Sequence, residues 1–344
     1  MKSSELVVDV AGVSRWFGDV QALTNLTIEV PRGSITVLLG PNGAGKTTAI
    51  RMITGALVPD QGAVSVFGID PGSRSGEEVR RRCGVVSAKP SLYDRLSGWD
   101  NLRYAAELYG LGRGTAAKAR IRDAAAQFGI NQSLDHQVGA YSTGMKTRLA
   151  LARSVLHQPD LLLLDEPTSG LDPESALAVL GLIRDMTNQG RTVLMCTHLL
   201  LEAEGLADEV VIMQHGTSLV SGAPNPLSRQ YWPYSIVRIT ADESEMLDHL
   251  AAAPGVVTYQ RTDDSSGKRA TAELALASID LVPGLVAQLV NAGATVTAVR
   301  PFDPTLEDLY FAVRRSVGSG ADEIRPPTDA TGRPTRNRSA QMAR

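Results

Sequence analysis

The sequence predicts an α/β protein with a parallel sheet, followed by a smaller α+β unit and a C-terminal tail. From residue 6 to about residue 222, short and nearly continuous apolar runs alternate with helical stretches. Strands of a parallel sheet have this pattern because helices cover both of its faces. Residues 90–140 interrupt the alternation with helical sequence that has no clear strand, which predicts a helical insertion.

Apolar runs define the strands of the predicted parallel sheet. A linker by composition, GAPNPLS at residues 222–228, follows the last of them, so we place the end of the first domain at residue 222. The predicted strands are Ile35–Leu39, Cys83–Val86, Leu161–Leu164, Thr192–Cys196 and Val210–Met213.

The second unit, residues 229–315, has the element order β-α-β-β-α-β, which predicts a split βαβ, ferredoxin-like domain. A last helix over Pro304–Arg315 precedes residues 316–344, which are rich in Gly, Pro, Asp, Thr and Arg and are predicted to be disordered. The elements in chain order are Ser235–Thr240, Glu243–Ala253, Val256–Gln260, Ala270–Leu276, Leu281–Asn291 and Thr295–Arg300.

Composition narrows the class of function. A formal net charge of −3 over 344 residues argues against a nucleic-acid partner, because proteins that bind nucleic acids usually carry a strong excess of basic residues. Cys83 and Cys196 lie in apolar runs and are predicted to be buried free thiols of a reducing compartment. The apolar runs are too short to span a bilayer, so we expect any role at a membrane to depend on a partner.

A phosphate-binding loop is predicted where VLLGPNGAGKTT joins an apolar strand to a helix, because the segment fits the pattern G-x-x-x-x-G-K-[ST] in its required context. Backbone N–H groups of such a loop surround phosphate oxygens, Lys46 reaches the β- and γ-phosphates, and the Thr47 hydroxyl binds Mg²⁺. The predicted nucleotide ligands are Gly40, Pro41, Asn42, Gly43, Ala44, Gly45, Lys46, Thr47 and Thr48.

A pair of carboxylates follows the apolar run of LLLLDEPTSGLD. Asp165 is expected at the carboxyl end of a strand beside the phosphate loop, where it would hold Mg²⁺. Glu166, one residue further, is placed to polarise a water for attack on the γ-phosphate. The alternative interpretation of Glu166 is a surface carboxylate that caps the following turn.

One histidine of five stands out by its position. His198 comes just after the predicted strand Thr192–Cys196, so its ring would reach the γ-phosphate and respond to charge in the transition state. The alternative is a core histidine with a structural hydrogen bond. We assign no role to the remaining histidines, which are His136, His157, His215 and His249.

Together these motifs, in this order, resemble the nucleotide-binding subunits of ATP-binding cassette (ABC) transporters from about Val7 to Gly222. The resemblance implies a P-loop ABC cassette: a RecA-like core with a helical subdomain at about residues 90–150. YSTGM resembles the signature loop, SGLD at Ser169–Asp172 the D-loop and His198 the switch histidine. Phe17 matches the aromatic that stacks on adenine, with Trp16 as the alternative. The residues this adds to the ATP site are Phe17, Ser142, Thr143, Gly144 and Asp172.

The resemblance also implies cofactors and partners. ATP and Mg²⁺ would bind between two cassettes paired head to tail, the signature loop of one closing on the γ-phosphate held by the other. The partner in the membrane would be a separate permease, which places this chain at the cytoplasmic face. The C-terminal unit, with PFDPTLEDLYFAV at Pro301–Val313, is similar to that of daunorubicin-exporter ATPases. That similarity implies export, powered by ATP hydrolysis, of a drug, an antibiotic or a lipid-like cargo.

Two departures and two rival classes qualify this interpretation. Ala88 stands where the family has a glutamine that reaches Mg²⁺ and the attacking water, so a degenerate regulatory cassette with weak hydrolysis, paired with an active one, is the alternative. The signature is also nonstandard at Tyr141, Thr143 and Met145. Ribosome-acting proteins carry two fused cassettes and DNA-maintenance ATPases a long coiled coil, and this chain shows neither pattern.

The segment Pro90–Leu102 lies where these cassettes receive the coupling helix of a membrane subunit. The apolar residues that would form a cleft for that helix, or alternatively pack the helical insertion, are Leu92, Tyr93, Leu96 and Trp99.

Overall fold

A computed structural model describes residues 5–242, 244–264 and 269–318 of the chain. The chain divides into two compact units, residues 1–224 and 225–344. This division lies two residues beyond residue 222, where the sequence predicts the end of the first domain. Among the described residues, the first unit has two sheets and the second has one, and each unit has its own core.

The first unit contains both strands and helices. Its strands are β1 (Leu6–Phe17), β2 (Val20–Pro31), β3 (Ile35–Leu39), β4 (Gln61–Val66), β5 (Cys83–Val86), β6 (Leu161–Asp165), β7 (Thr192–Thr197), β8 (Glu209–Gln214) and β9 (Thr217–Gly222). Its helices are α1 (Lys46–Ile53), α2 (Gly76–Arg81), α3 (Gly98–Leu108), α4 (Thr115–Gln127), α5 (Thr143–Val155), α6 (Pro173–Asn188) and α7 (Leu200–Ala203). Short 3₁₀ turns cover Asn131–Ser133 and Val138–Ala140.

The main sheet of the first unit has the strand order β5-β6-β7-β3-β8-β9. All of the strands predicted for it are present. In the spatial order β5, β6, β7, β3, β8, each strand pairs in parallel with the next, as expected. Only β9 is antiparallel to its neighbour. Every residue of β3, β6 and β7 is buried, as expected for central strands of a sheet that is covered on both faces.

A second, antiparallel sheet of the first unit was not predicted from the sequence. It has the strand order β2-β1-β4, and β1 and β2 are both 12 residues long. Register shifts interrupt the pairing of β1 with β2, and these shifts also disturb the regular alternation that marks a half-buried strand. The helical insertion is confirmed: α3, α4 and α5 lie between β5 and β6, and the described residues there contain no strand.

The predicted linker at residues 222–228 is wrong over most of its length, because a helix, α8 (Pro224–Tyr231), begins inside it. Pro224 opens the helix and Pro226 lies in its first turn, where the missing N–H groups would have no intrahelical partner. Leu227 is buried. Proline marks a helix start as readily as a loop, which composition alone does not distinguish.

Beyond α8, the second unit contains four strands and two α-helices among the described residues. Its elements there are β10 (Ser235–Ala241), a 3₁₀ helix at Ser244–Ala252, β11 (Val256–Asp263), β12 (Ala270–Leu276), a 3₁₀ turn at Ile279–Leu281, α9 (Val282–Asn291), β13 (Val296–Phe302) and α10 (Leu306–Gly318). The strands form one sheet in the order β11-β12-β10-β13, with all neighbours antiparallel. This is the order that the predicted split βαβ arrangement requires, although its first helix is a 3₁₀ helix rather than an α-helix.

The last helix is longer than predicted, since α10 continues to Gly318. Residues 316–318 therefore belong to the helix and not to the tail. Gly318 is the first glycine after the start of the helix, and glycine is a common C-terminal stop. Residues 319–344, where disorder is predicted, lie outside the described residues.

The core of the second unit comes from alternate residues of its two central strands. Val237 and Ile239 of β10 face Leu274 and Ala272 of β12 in register, and all are fully buried. Side chains from Leu247 and from other residues of the helices complete this cluster. The second unit therefore has a hydrophobic core of its own.

We predict that Leu274→Ala destabilises the second unit by about 2–5 kcal/mol, because it removes a fully buried side chain and leaves a cavity. Hydrogen exchange of peptides from β10 and β12 during a urea titration measures the change. Val257→Ala, at a side chain that is 46% exposed, is the matched control. Equal loss of protection in β3 and β6 would contradict an independent core.

Candidate functional site

The predicted phosphate loop connects β3 to α1 and needs glycine for two packing reasons. A Cβ atom on Gly40 would lie 2.5 Å from the Met213 carbonyl oxygen of β8. A Cβ atom on Gly45 would lie 2.5 Å from a methyl group of Leu23, and Gly45 has a φ of 100°, which disfavours side chains. The loop is therefore held closely between neighbouring strands.

Lys46, the first residue of α1, is only 6% exposed. Its ammonium donates hydrogen bonds to the carbonyl oxygens of Gly40 at 2.7 Å and Pro41 at 3.2 Å. It also lies 3.3 Å from Oε1 of Glu166. These contacts fix the positive charge on the inner side of the phosphate loop.

Thr47 and Asp165 bring two oxygen ligands together. The Thr47 hydroxyl donates to Oδ2 of Asp165 at 2.7 Å, joining the first turn of α1 to the last residue of β6. Asp165 is 5% exposed. A hydroxyl and a carboxylate of this kind suit Mg²⁺, which prefers hard oxygen ligands and completes its shell with water and substrate phosphates.

Glu166 lies between the two basic residues of the site. Its Oε2 is 2.7 Å from Nδ1 of His198, and its Oε1 lies near the Lys46 ammonium. Oε1 is buried and has no hydrogen-bond partner with acceptable geometry, so its contact with Lys46 is an ion pair and not an aligned hydrogen bond. This oxygen therefore accepts no aligned hydrogen bond from the described residues.

The backbone of Glu166 is also unusual. Its φ is 50°, in the left-handed region that glutamate seldom adopts, and its N–H donates to the Cys196 carbonyl of β7 at 2.9 Å. Strained backbone conformations of this kind cluster at functional sites. The alternative reading of Glu166 as a surface carboxylate does not fit, because its side chain is 13% exposed and contacts both Lys46 and His198.

The predicted signature residues form the N-terminus of α5. Ser142 caps the helix, with its Oγ accepting a hydrogen bond from the Met145 N–H at 3.2 Å, and its hydroxyl proton is left for another acceptor. Thr143 is the first helical residue, and Gly144 lies against Ser175 of α6. Among the described residues, no hydrogen bond joins these three residues to the phosphate loop of the same chain.

Asp172 caps α6, its carboxylate accepting a hydrogen bond from the Ser175 N–H at 3.0 Å. That N–H group holds the pKa of the Asp172 carboxyl below its usual value. Its side chain remains exposed at the surface. The cap gives Asp172 a structural role in this chain, and its predicted contact with nucleotide stays a prediction.

Phe17 ends β1 at a hairpin whose second strand, β2, carries the Leu23 that packs against Gly45. The Phe17 ring is 45% exposed and lies 5.1 Å from the guanidinium carbon of Arg15. Trp16 is half-buried, and its backbone N–H donates a hydrogen bond to Oδ2 of Asp60. An exposed ring fits a stacking role better than a half-buried one, which favours Phe17 over Trp16.

The four apolar residues that are predicted to receive a partner helix after β5 have different neighbours. Ala88 is exposed. Tyr93 packs edge-on against Tyr104 at 5.3 Å, whereas Trp99 faces Arg122 in a separate concavity. Leu92 is half-buried and Leu96 exposed, so the four predicted residues divide between different surroundings.

Both cysteines are buried free thiols, as predicted. Burial raises the pKa of the Cys83 thiol to about 12 and that of Cys196 well above its usual value. Neither thiol is a nucleophile at neutral pH, because the thiolate is the reactive form. The thiols are therefore packing residues of the sheet.

The parallel sheet, the loop from β3 to α1 and the carboxylates at the end of β6 define a P-loop nucleotide-binding protein. Residues 23–169 match the family model described as ABC transporter. The ABC transporter ATP-binding protein NatA of Bacillus subtilis (strain 168) is 36% identical over 222 residues, which cover 63% of this chain and 89% of that protein. This chain belongs to the ATP-binding proteins of ABC transporters.

Similarity to some relatives extends past the first unit. The daunorubicin/doxorubicin resistance ATP-binding protein DrrA of Streptomyces peucetius is 34% identical over 294 residues, which cover 80% of this chain and 86% of that protein. A solved ATP-binding subunit of an ABC transporter matches with a TM-score of 0.59 at 31% identity, over 65% of this chain and 93% of that one. No described helix is long and apolar enough to cross a bilayer.

We predict that Lys46→Ala weakens ATP binding by about 10–100-fold, because a charge-assisted hydrogen bond to phosphate is worth about 1.5–3 kcal/mol. Titration calorimetry with ATP and Mg²⁺ measures the change in Kd. Lys118→Ala, at an exposed position of α4, is the control for loss of one positive charge. An unchanged Kd for Lys46→Ala would contradict the assignment.

Proposed function

We propose that this chain hydrolyses ATP and that a pair of such chains powers transport through a separate membrane permease. The observation that carries the proposal is the position of the Glu166 carboxylate, 2.7 Å from His198 and 3.3 Å from Lys46, at the end of the strand that also presents Asp165. A carboxylate with one oxygen bonded to His198 and the other free of aligned hydrogen bonds is suited to general-base catalysis.

In the proposed reaction, Oε1 of Glu166 accepts a proton from water as the water oxygen attacks the γ-phosphorus. The bond from that phosphorus to the β,γ-bridging oxygen breaks, and ADP and inorganic phosphate are the products. Lys46 compensates negative charge on the β- and γ-phosphate oxygens, and His198 holds the other oxygen of Glu166 in place. The proton ends on Glu166 or on phosphate.

Mg²⁺ is the proposed cofactor, held by Thr47 and Asp165 with water and phosphate oxygens. Bound Mg²⁺ would neutralise charge on the phosphates and favour loss of ADP. The residues present fit this role, because Thr47 and Asp165 already place a hydroxyl and a carboxylate oxygen within 2.7 Å of each other at the phosphate loop.

A second copy of the cassette is the proposed partner for the nucleotide site. Ser142, Thr143 and Gly144 form a helix N-terminus with no acidic residue in its first turn, which suits an anion. Since they are not bonded to the phosphate loop of their own chain, we propose that they close on the γ-phosphate bound by the partner. Hydrolysis would then remove the contact and separate the pair.

Export is the proposed direction, with the chain on the cytoplasmic face of the membrane. The support is the similarity to DrrA, whose name records daunorubicin and doxorubicin resistance, and to the Nod factor export ATP-binding protein I of Rhizobium sp. (strain N33), 35% identical over 248 residues. An amphipathic drug, an antibiotic or a lipid-like molecule is the cargo class that these names favour.

One observation favours a second candidate, a regulatory cassette with weak hydrolysis that pairs with an active one. Ala88, exposed after β5, has no group that binds a metal or water. Lys46, Asp165, Glu166 and His198 are all in place, however, so we place full hydrolysis first.

We predict that Glu166→Gln retains ATP binding and loses about 10²–10⁴-fold in hydrolysis, because the carboxamide no longer accepts a proton. Phosphate release gives the rate and calorimetry gives the Kd. Light scattering should show an ATP-dependent dimer that persists in the variant. Glu78→Gln, exposed on α2, is the control. Wild-type turnover by Glu166→Gln would exclude Glu166 as the base.

We predict that Ala88→Gln changes the hydrolysis rate or its Mg²⁺ dependence, since it introduces the amide that the resemblance to ABC cassettes implies at this position. Rates are measured against Mg²⁺ concentration, alone and with the permease. Ala88→Leu, which adds a side chain without an amide, separates chemistry from size. Identical kinetics for wild type and Ala88→Gln would show that this position is uncoupled from hydrolysis.

A further inference from the structure

A chain of hydrogen bonds outside the contacts described so far holds the loop that carries His198. The hydroxyls of Thr168 and Thr197 both donate to Oε2 of Glu202 on α7, the second at 3.2 Å. The Leu199 N–H donates in turn to Oγ1 of Thr197 at 3.0 Å. Sequence reasoning assigned no role to any of these residues.

The hydrogen-bonded chain brackets His198, because Thr197 and Leu199 are its two neighbours in sequence. Thr197 has no exposed surface and Thr168 is 3% exposed, so water competes poorly for their hydroxyl groups. A side chain is best oriented when the groups around it are locked by packing and hydrogen bonds. The network therefore fixes the backbone from which the His198 ring reaches Glu166.

The same network reaches the loop that carries Glu166. Thr168 is two residues beyond Glu166, in a turn where the Ser169 N–H donates to the Glu166 carbonyl at 3.1 Å. Besides the bond from the Glu166 N–H to the Cys196 carbonyl, two side-chain contacts join the loops after β6 and β7, Glu166 to His198 and Thr168 to Glu202. Two separated attachments fix the relative orientation of two loops, whereas one attachment leaves a hinge.

We infer that Glu202 is a positioning residue for His198 and Glu166. The inference rests on the proposed function, since it concerns the geometry of the proposed base. The described hydrogen bonds of Glu202 do not include Lys46 or Thr47. We therefore expect its removal to change the orientation of the proposed base and not the affinity for ATP. Glu202 acts through Thr168 and Thr197 and does not itself take part in the chemistry.

The test compares Glu202→Ala with Glu202→Gln. We expect Glu202→Ala to lower kcat by about 10–100-fold, the size of effect that small misplacement of a reacting group produces, while the Kd for ATP changes less than about threefold. Glu202→Gln keeps an oxygen that accepts both hydroxyls, so its kcat should stay within about threefold of wild type. Glu204→Ala, two residues away and exposed, is the matched control.

A mutant cycle tests the route of the effect. Thr168→Val removes the hydroxyl that donates to Glu202 and keeps a side chain of similar volume. It should lower kcat, as Glu202→Ala does. The double variant should be no slower than Glu202→Ala alone, because both changes break one network. Full additivity of the two changes would overturn the inference, as would a Glu202→Ala kcat within twofold of wild type.

A readout that does not need hydrolysis separates this inference from the proposed function. With ¹³C-labelled histidine, the His198 resonance among the five histidines is identified by its loss in His198→Ala. It should shift in Glu202→Ala and Thr168→Val and stay unchanged in Glu204→Ala. An unmoved resonance in both network variants would overturn the inference. If the wild type does not hydrolyse ATP, the proposed function fails and the resonance alone decides the role of Glu202.

Discussion

The ion pair between Glu166 and Lys46 is the interaction on which the site depends. Both groups are largely removed from water, and a charge so placed is costly unless an opposite charge or hydrogen bonds compensate it. For the Glu166 carboxylate, Lys46 supplies the opposite charge, and His198, just after β7, supplies a hydrogen bond. One carboxylate therefore connects the predicted phosphate loop to the loop that carries His198.

The order of the parallel strands makes this meeting possible. Because β6, β7 and β3 are adjacent and parallel, their carboxyl ends lie on one edge of the sheet, the edge at which open α/β sheets bind ligands. The pairings of Leu39 with Thr197 and of Asp165 with Cys196 set the loops after these strands at one level. The left-handed Glu166 and the hydrogen bonds of Glu202 then determine how those loops point.

Helix α5 of the helical insertion is bonded to the segment that follows β5. Arg153 of this helix donates to the Ser91 carbonyl, and Lys146 forms a 2.9 Å ion pair with Asp94. The helix that begins at Ser142 is therefore bonded to the segment that follows Ala88. A movement of Ser142 toward a γ-phosphate would be transmitted to this exposed segment, in keeping with the proposed coupling to a membrane partner.

Local pattern was enough to predict the buried strands of the main sheet, the loop between β3 and α1, and the places of Asp165 and His198 at the ends of strands. These features follow from apolar runs and glycine spacing, which act over a few residues, and the strand order of the second unit follows from its order of elements. Pattern did not predict the antiparallel sheet with its register shifts, the helix at Pro224–Tyr231, or the separation of Tyr93 from Trp99. Those features, and the network of Glu202 with Thr168 and Thr197, depend on contacts between residues distant in sequence. Sheet order and packing decide such contacts, because the partners come together only when the chain is folded.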